Sequence, residues 1–110
     1  MLIGGFLMVE INIRNSAVTV GTTPLKIAEP LILGQRQALS IVNTSTAGQI
    51  LTLQWGQQAD VVLAGIVLYS AGSWSESLDG AFIPSNLDIW AVSSAAGGTI
   101  AIQERIQTGR

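Results

Sequence analysis

Side chains able to move protons, attack carbonyls or hold metals are scarce in this chain. There is no histidine and no cysteine, and Lys26 is the only lysine. The carboxylates are Glu10, Glu29, Asp60, Glu76, Asp79, Asp88 and Glu104. Glycoside hydrolysis needs two carboxyl groups facing each other across a cleft. Glu76 with Asp79 is the pair that sequence offers, against the simpler reading of solvated charges on loops and strand faces. Asp79-Gly80 lacks the spaced oxygen ligands of a calcium loop. Serines are plentiful, but their usual base is missing, and no motif connects one to Lys26. Gly97-Gly98-Thr99 is followed by no phosphate-binding lysine, and a tight turn accounts for its glycines. The chain therefore reads as non-enzymatic, with no catalytic residue, no cofactor and no metal site.

Three tryptophans remain. An indole plane can stack on a sugar ring, so carbohydrate binding is physically open to Trp55, Trp74 and Trp90. Large aromatics also dominate core and interface energetics. Trp55 and Trp90 lie within strand-like segments and read as packing residues. Trp74 lies in a polar stretch and is expected to be partly exposed.

Composition sets the wider frame. The 110 residues are 48% hydrophobic and only 11% charged, with a formal net charge of −2. Nucleic-acid binding needs clustered cations to displace counterions, whereas Arg14, Lys26, Arg36, Arg105 and Arg110 are scattered. A mean hydropathy of +0.48 is high for a soluble single copy. Association with other subunits would place the surplus apolar surface at interfaces. Without cysteine, no disulfide contributes to stability. The apolar stretch from Val61 to Tyr69 falls far short of the ~20 residues that span a bilayer. The start, MLIGGFLMVE, has no basic region of the kind a signal peptide carries. It reads instead as an apolar arm over residues 1–8, anchored on a neighbouring subunit through Leu2, Ile3, Phe6 and Leu7.

The elements that would position these residues follow a period of two. Val9, Ile11 and Ile13 alternate with Glu10, Asn12 and Arg14, as in a strand with one buried face. Shorter strand pieces follow at 17–20 and 25–28, separated by Gly and Pro, and 31–33, ending at Gly34, fits either strand or connection. Residues 37–55 read as a β-hairpin whose turn is Thr44-Ser45-Thr46-Ala47-Gly48. Residues 61–63 and 66–69 flank Gly65 as short strands or an irregular crossing, 72–77 is strand-like, and a loop follows over 78–87 with Phe82 and Ile83 as apolar anchors. A last hairpin joins 89–93 to 99–106. Helical spacing is not sustained anywhere. About eight short strands with regular turn signals predict one all-β domain over residues 1–110, a two-sheet sandwich or jelly-roll-like barrel.

The run from Gly65 to Arg105 carries Gly72-Ser73-Trp74, Phe82 with Pro84, Ile89-Trp90-Ala91, and Ala96-Gly97-Gly98-Thr99 leading to Glu104-Arg105. It resembles small β-structured virion proteins of tailed bacteriophages, the group of capsid decoration and head-fibre-type proteins. That resemblance implies a structural protein of the capsid exterior that binds the major capsid protein and itself, as a homotrimer, without nucleic acid or membrane. Trp74, Phe82 and Ile83, with the arm, are then the expected interface residues. The alternatives are a carbohydrate- or receptor-binding fibre or tail-tip module, and a connector or tail subunit.

Overall fold

The computed structural model describes residues 10–56 and 63–108, together with the backbone of two short strands nearer the start. Those two are β1 (Leu2–Ile3) and β2 (Phe6–Leu7), paired antiparallel with Leu2 opposite Leu7. The remaining strands are β3 (Glu10–Val20), β4 (Leu25–Ala28), β5 (Gln35–Asn43), β6 (Leu51–Trp55), β7 (Ile66–Leu68), β8 (Ser73–Ser77), β9 (Ile89–Ser93) and β10 (Gly98–Thr108). They form two four-stranded sheets, ordered β3-β10-β5-β8 and β4-β9-β6-β7, and every pairing is antiparallel. The fold is an all-β sandwich, and among the described residues no pairing closes it into a barrel.

The period of two builds this core directly. In β10, Ile100, Ile102 and Ile106 turn inward while Thr99, Ala101, Gln103 and Arg105 turn out. Leu39 and Ile41 of the first sheet join Leu51, Leu53 and Ile89 of the second in one buried cluster. Each such side chain contributes about 1.5–3 kcal/mol by leaving water.

Both hairpins expected from sequence are corrected. β5 and β6 lie in different sheets, so the 44–50 segment is an arch across the sandwich. β9 and β10 are likewise in different sheets, joined by an arch in which Gly97 adopts a φ of 81°. The physical reason is that alternating side chains specify a buried face and do not specify which strand supplies the backbone partner. Buried Asn43 shapes the first arch. Its amide donates to the carbonyls of Gln49 and Leu68, and its Oδ1 accepts from the Ser45 N–H.

A second correction concerns residues 9–14. The strand expected there is present and runs unbroken to Val20, but Ile11 and Ile13 are 42% and 55% exposed. They stand opposite Gln107 and outward-turned Arg105, so both lie on the outer face of the sheet, and the inward positions are taken by Asn12 and Arg14 opposite Ile106 and Glu104. Residues 31–33, open between strand and connection in the sequence, belong to the connection between β4 and β5. Of residues 61–63, the first two lie outside the described part, and Leu63 is in a turn.

The sandwich holds one ionic cluster. Arg36 is 0% exposed, and its Nε and Nη2 both lie 2.8 Å from Glu104 Oε2. Arg14 Nη2 donates to the other carboxylate oxygen at 2.9 Å. The remaining Arg36 donors reach the carbonyls of Ser85, Leu87 and Glu29. Its backbone N–H donates to Asn86 Oδ1, and Asn86 Nδ2 donates to the Gly34 carbonyl. Gly34 itself needs to be glycine: its φ is 128°, and a Cβ would come within 2.6 Å of the Gln107 carbonyl oxygen. One guanidinium thereby joins β5, β10 and the connections before β5 and β9.

Breaking a buried pair from one side leaves a buried charge uncompensated. Arg36→Ala is expected to cost about 3–5 kcal/mol. In a domain of this size that lowers the melting temperature by at least about 12 °C. Thermal denaturation followed by circular dichroism measures it, and a drop under about 4 °C would contradict the role assigned to Arg36.

Candidate functional site

The reactive side chains do not converge. Among the described residues no group of three or more Asp and Glu is placed to hold a metal ion. Glu104 is committed to two arginines, and Glu29 lies 3.6 Å from Lys26. Asp88 accepts the Trp90 Nε1–H at 2.8 Å, and Glu76 accepts the Trp74 Nε1–H at 3.1 Å. Glu76 and Asp79 line one groove, yet Glu76 is held there by an indole and Asp79 closes a turn. The sequence holds no histidine or cysteine to supply a base or nucleophile, and among the described residues no carboxylate pair faces across a cleft.

The tryptophans are packing residues first. Trp55 and Trp74 meet edge to face, with centroids 6.5 Å apart and planes inclined at 71°, and both pack on the core cluster. Lys26 Nζ lies 5.7 Å above the Trp90 ring. All three are partly buried, so none presents an open indole platform of the kind sugar stacking uses.

What the fold leaves unfilled is its surface. β3 is hydrogen-bonded to β10 alone among the described strands, and its register shows no bulge from Glu10 to Val20. Thr44 N–H donates to the Thr99 carbonyl, which fixes the odd-numbered residues of β10 as those bonding towards β5. By antiparallel alternation the even-numbered residues of β10 bond to β3. It follows from the register that Ile11, Ile13, Asn15, Ala17 and Thr19 aim their N–H and C=O groups at the open edge. Natural edges are blunted with lysine, proline or a bulge. β3 has no lysine, proline or bulge, and its one inward-pointing charge, Arg14, is held against Glu104 and leaves the outward backbone groups uncovered.

Two further surfaces stand out. The connections tied together by Arg36 and Asn86 display Ile32, Leu33, Ile83 and Leu87 to solvent, with Ile32 88% exposed. On the opposite edge of the first sheet, a groove of about 360 Å³ is lined by Trp74, Ser75, Glu76, Ser77, Asp79 and Phe82. A tight turn forms its far wall, closed by backbone bonds between Asp79 and Phe82 in both directions. The structure thus brings Trp74 and Phe82 of the expected interface set together and leaves Ile83 exposed beside them. The side chains of Leu2, Ile3, Phe6 and Leu7 lie outside the described residues. Sequence reading missed the β3 edge because it assigned Ile11 and Ile13 to a buried face. Apolar alternation over a strand with no lysine was the available signal.

No protein-family model matches the chain, and no curated protein matches it by sequence. A solved structure reported as "Bacillus endospore appendages form a novel family of disulfide-linked pili" contains a similar chain. The TM-score is 0.63 at 15% identity, over 98% of this chain and 94% of that one. This likeness bears on the fold and corrects the reading drawn from the Gly65–Arg105 run. A capsid decoration protein, docked as a homotrimer on a major capsid protein at the virion exterior, is not supported, nor is a phage fibre, tail-tip or connector role. The match instead spans nearly the whole of a chain from a bacterial appendage. The physical reason is plain in the fold. Gly72, Pro84, Gly97 and Gly98 serve turns and arches, and Ile89, Ala91 and Ile100 fill the core. Such residues mark a β-sandwich and not what it docks upon.

The open edge generates a direct expectation. Ile11→Lys replaces an exposed side chain opposite Gln107 with an edge-blunting charge. Melting temperature should stay within about 4 °C, since exposed substitutions cost about 0.5 kcal/mol or less. Light scattering of the variant should show weaker self-association than the parent at equal concentration. Unchanged association would remove β3 from the candidate surface.

Proposed function

We propose that this protein is a structural subunit of a filamentous bacterial surface appendage, assembled without disulfide bonds. The observation that carries the reading is β3, an eleven-residue edge whose outward backbone groups have no partner among the described residues. An edge of this kind is a template for strand addition by another chain. The fold likeness to a chain of endospore-appendage pili supports the same reading, as does the near-complete coverage of both chains. So does the composition, since weakly charged strand faces dock without desolvating ions.

The proposed subunit departs from the printed description of that relative in one respect. Those pili are disulfide-linked, and these 110 residues contain no cysteine. Cohesion here rests on strand pairing and apolar contact. Candidate contacts are the arm residues Leu2, Ile3, Phe6 and Leu7, with Trp74, Phe82 and Ile83 on the sandwich. Contacts repeated along a filament multiply a modest single interface, because each subunit is held at several points at once.

Negative-stain electron microscopy of the purified protein, with and without a thiol reductant, tests the proposal. Filaments are expected under both conditions and in equal abundance. A single species of 11.5 kDa that persists at high concentration would overturn it.

A further inference from the structure

Three of the four cations among the described residues are paired: Arg14 and Arg36 share Glu104, and Lys26 sits between Glu29 and the Trp90 ring. Glu10 and Asp79 are exposed carboxylates that water satisfies, which leaves one cation and one buried oxygen to account for. The Arg105 side chain is exposed and makes no hydrogen bond or ion pair among the described residues. Glu76 Oε1 is buried and accepts no hydrogen bond, while its Oε2 is occupied by Trp74 Nε1. A buried carboxylate oxygen without a donor is costly, so it marks a place where a donor belongs.

The two cannot meet within one copy. Arg105 projects from the outer face of β10, in register with Ile13 on one side and Ala38 on the other. Glu76 projects from β8 towards the interior face of the same sheet, beside Trp74. The sheet stands between them, so only a second copy can bring one to the other.

We propose that Arg105 of one copy enters the groove between β8 and the 79–82 turn of the next and donates to Glu76 Oε1. The groove suits a guanidinium. Trp74 and Phe82 offer aromatic faces, and Asp79 offers a second negative charge. Arginine is favoured where a planar cation meets both carboxylate and aromatic surface. Oε1 is shut off from water in a single copy. Phe82, 47% exposed on the short turn, lines the same groove, and its side chain must swing aside for a guanidinium to reach that oxygen. Donor and acceptor patches differ, so the contact is head to tail, and it propagates as an open chain of copies wherever the rotation between them does not close a ring. The inference rests on the filament reading and names one contact within it.

A double-mutant cycle on assembly tests it. The critical concentration is measured by sedimentation for the parent, Glu76→Gln, Arg105→Gln and the double variant. The amide oxygen introduced by Glu76→Gln still accepts the Trp74 N–H, and Arg105 is exposed, so melting of unassembled protein should be little changed. Each single substitution is expected to raise the critical concentration about tenfold, equivalent to about 1.4 kcal/mol. The double variant should match either single one, because the pair is already broken. Singles that assemble like the parent, or effects that multiply to about a hundredfold, would overturn the contact. If the parent sediments and both single variants sediment alike, the contact falls and the filament reading stands. A parent that never sediments removes the filament reading and the contact with it.

Discussion

The structure turns on Arg36. Its guanidinium lies in the sandwich with no exposure, satisfied by Glu104 and by carbonyls from two connections. An isolated buried charge is expensive, so this one is tolerable only while every donor is met. That requirement fixes the path of residues 29–34 and 84–87 against β5 and β10. It also holds Ile32, Leu33, Ile83 and Leu87 at the surface, where their apolar area gains nothing in a single copy. The same carboxylate reaches Arg14 on β3, so the long edge strand is tied to the hub. A charged cluster with little direct benefit to stability thereby sets the geometry of the surfaces offered to neighbours.

Those surfaces share a physical character. β3 presents unpaired backbone groups, the Arg36-bound connections present aliphatic side chains, and the outer sheet face carries small neutral residues such as Ala17, Ala101, Ser40 and Val42. Few ions would need to be stripped of water to cover any of them. A soluble single-copy protein places lysine and glutamate in such positions. The scarcity of charge, which says nothing about fold, is informative about association. In the proposed filament, cohesion without cysteine would depend on many weak contacts acting together, and a single buried ion pair between copies would add direction to them.

Much of the fold was legible in the residues themselves. Alternation in Gly98–Thr108 and Gln35–Asn43 gave the strands and their inner faces, and turn residues gave their approximate number. Connectivity was not legible. Leu39 and Leu51 sit in the same core whether their strands are neighbours in one sheet or face each other across two. The arches at 44–50 and 94–97 have the length and composition of hairpin turns. Their difference lies in long-range partners such as Leu68, whose carbonyl the Asn43 amide reaches. Arg36 was equally opaque, since nothing around it in sequence announces that Glu104 and three carbonyls await it. Trp74 and Phe82 could be named individually because exposed aromatics are rare here. Their shared groove depends on the turn at 79–82, which the sequence showed only as a loop. Turn and core residues also suggested a phage protein, although such residues describe an architecture common to many functions.

Amide hydrogen exchange, read by mass spectrometry on unassembled and assembled protein, tests the central claim most directly. Residues 10–20 form an open edge in the single copy, and assembly by strand addition would bond the outward N–H groups of Ile11, Ile13, Asn15, Ala17 and Thr19. Exchange across this strand should slow on assembly, while the buried segment 98–106 changes little. Filaments in which residues 10–20 exchange as fast as in the free subunit would contradict the account.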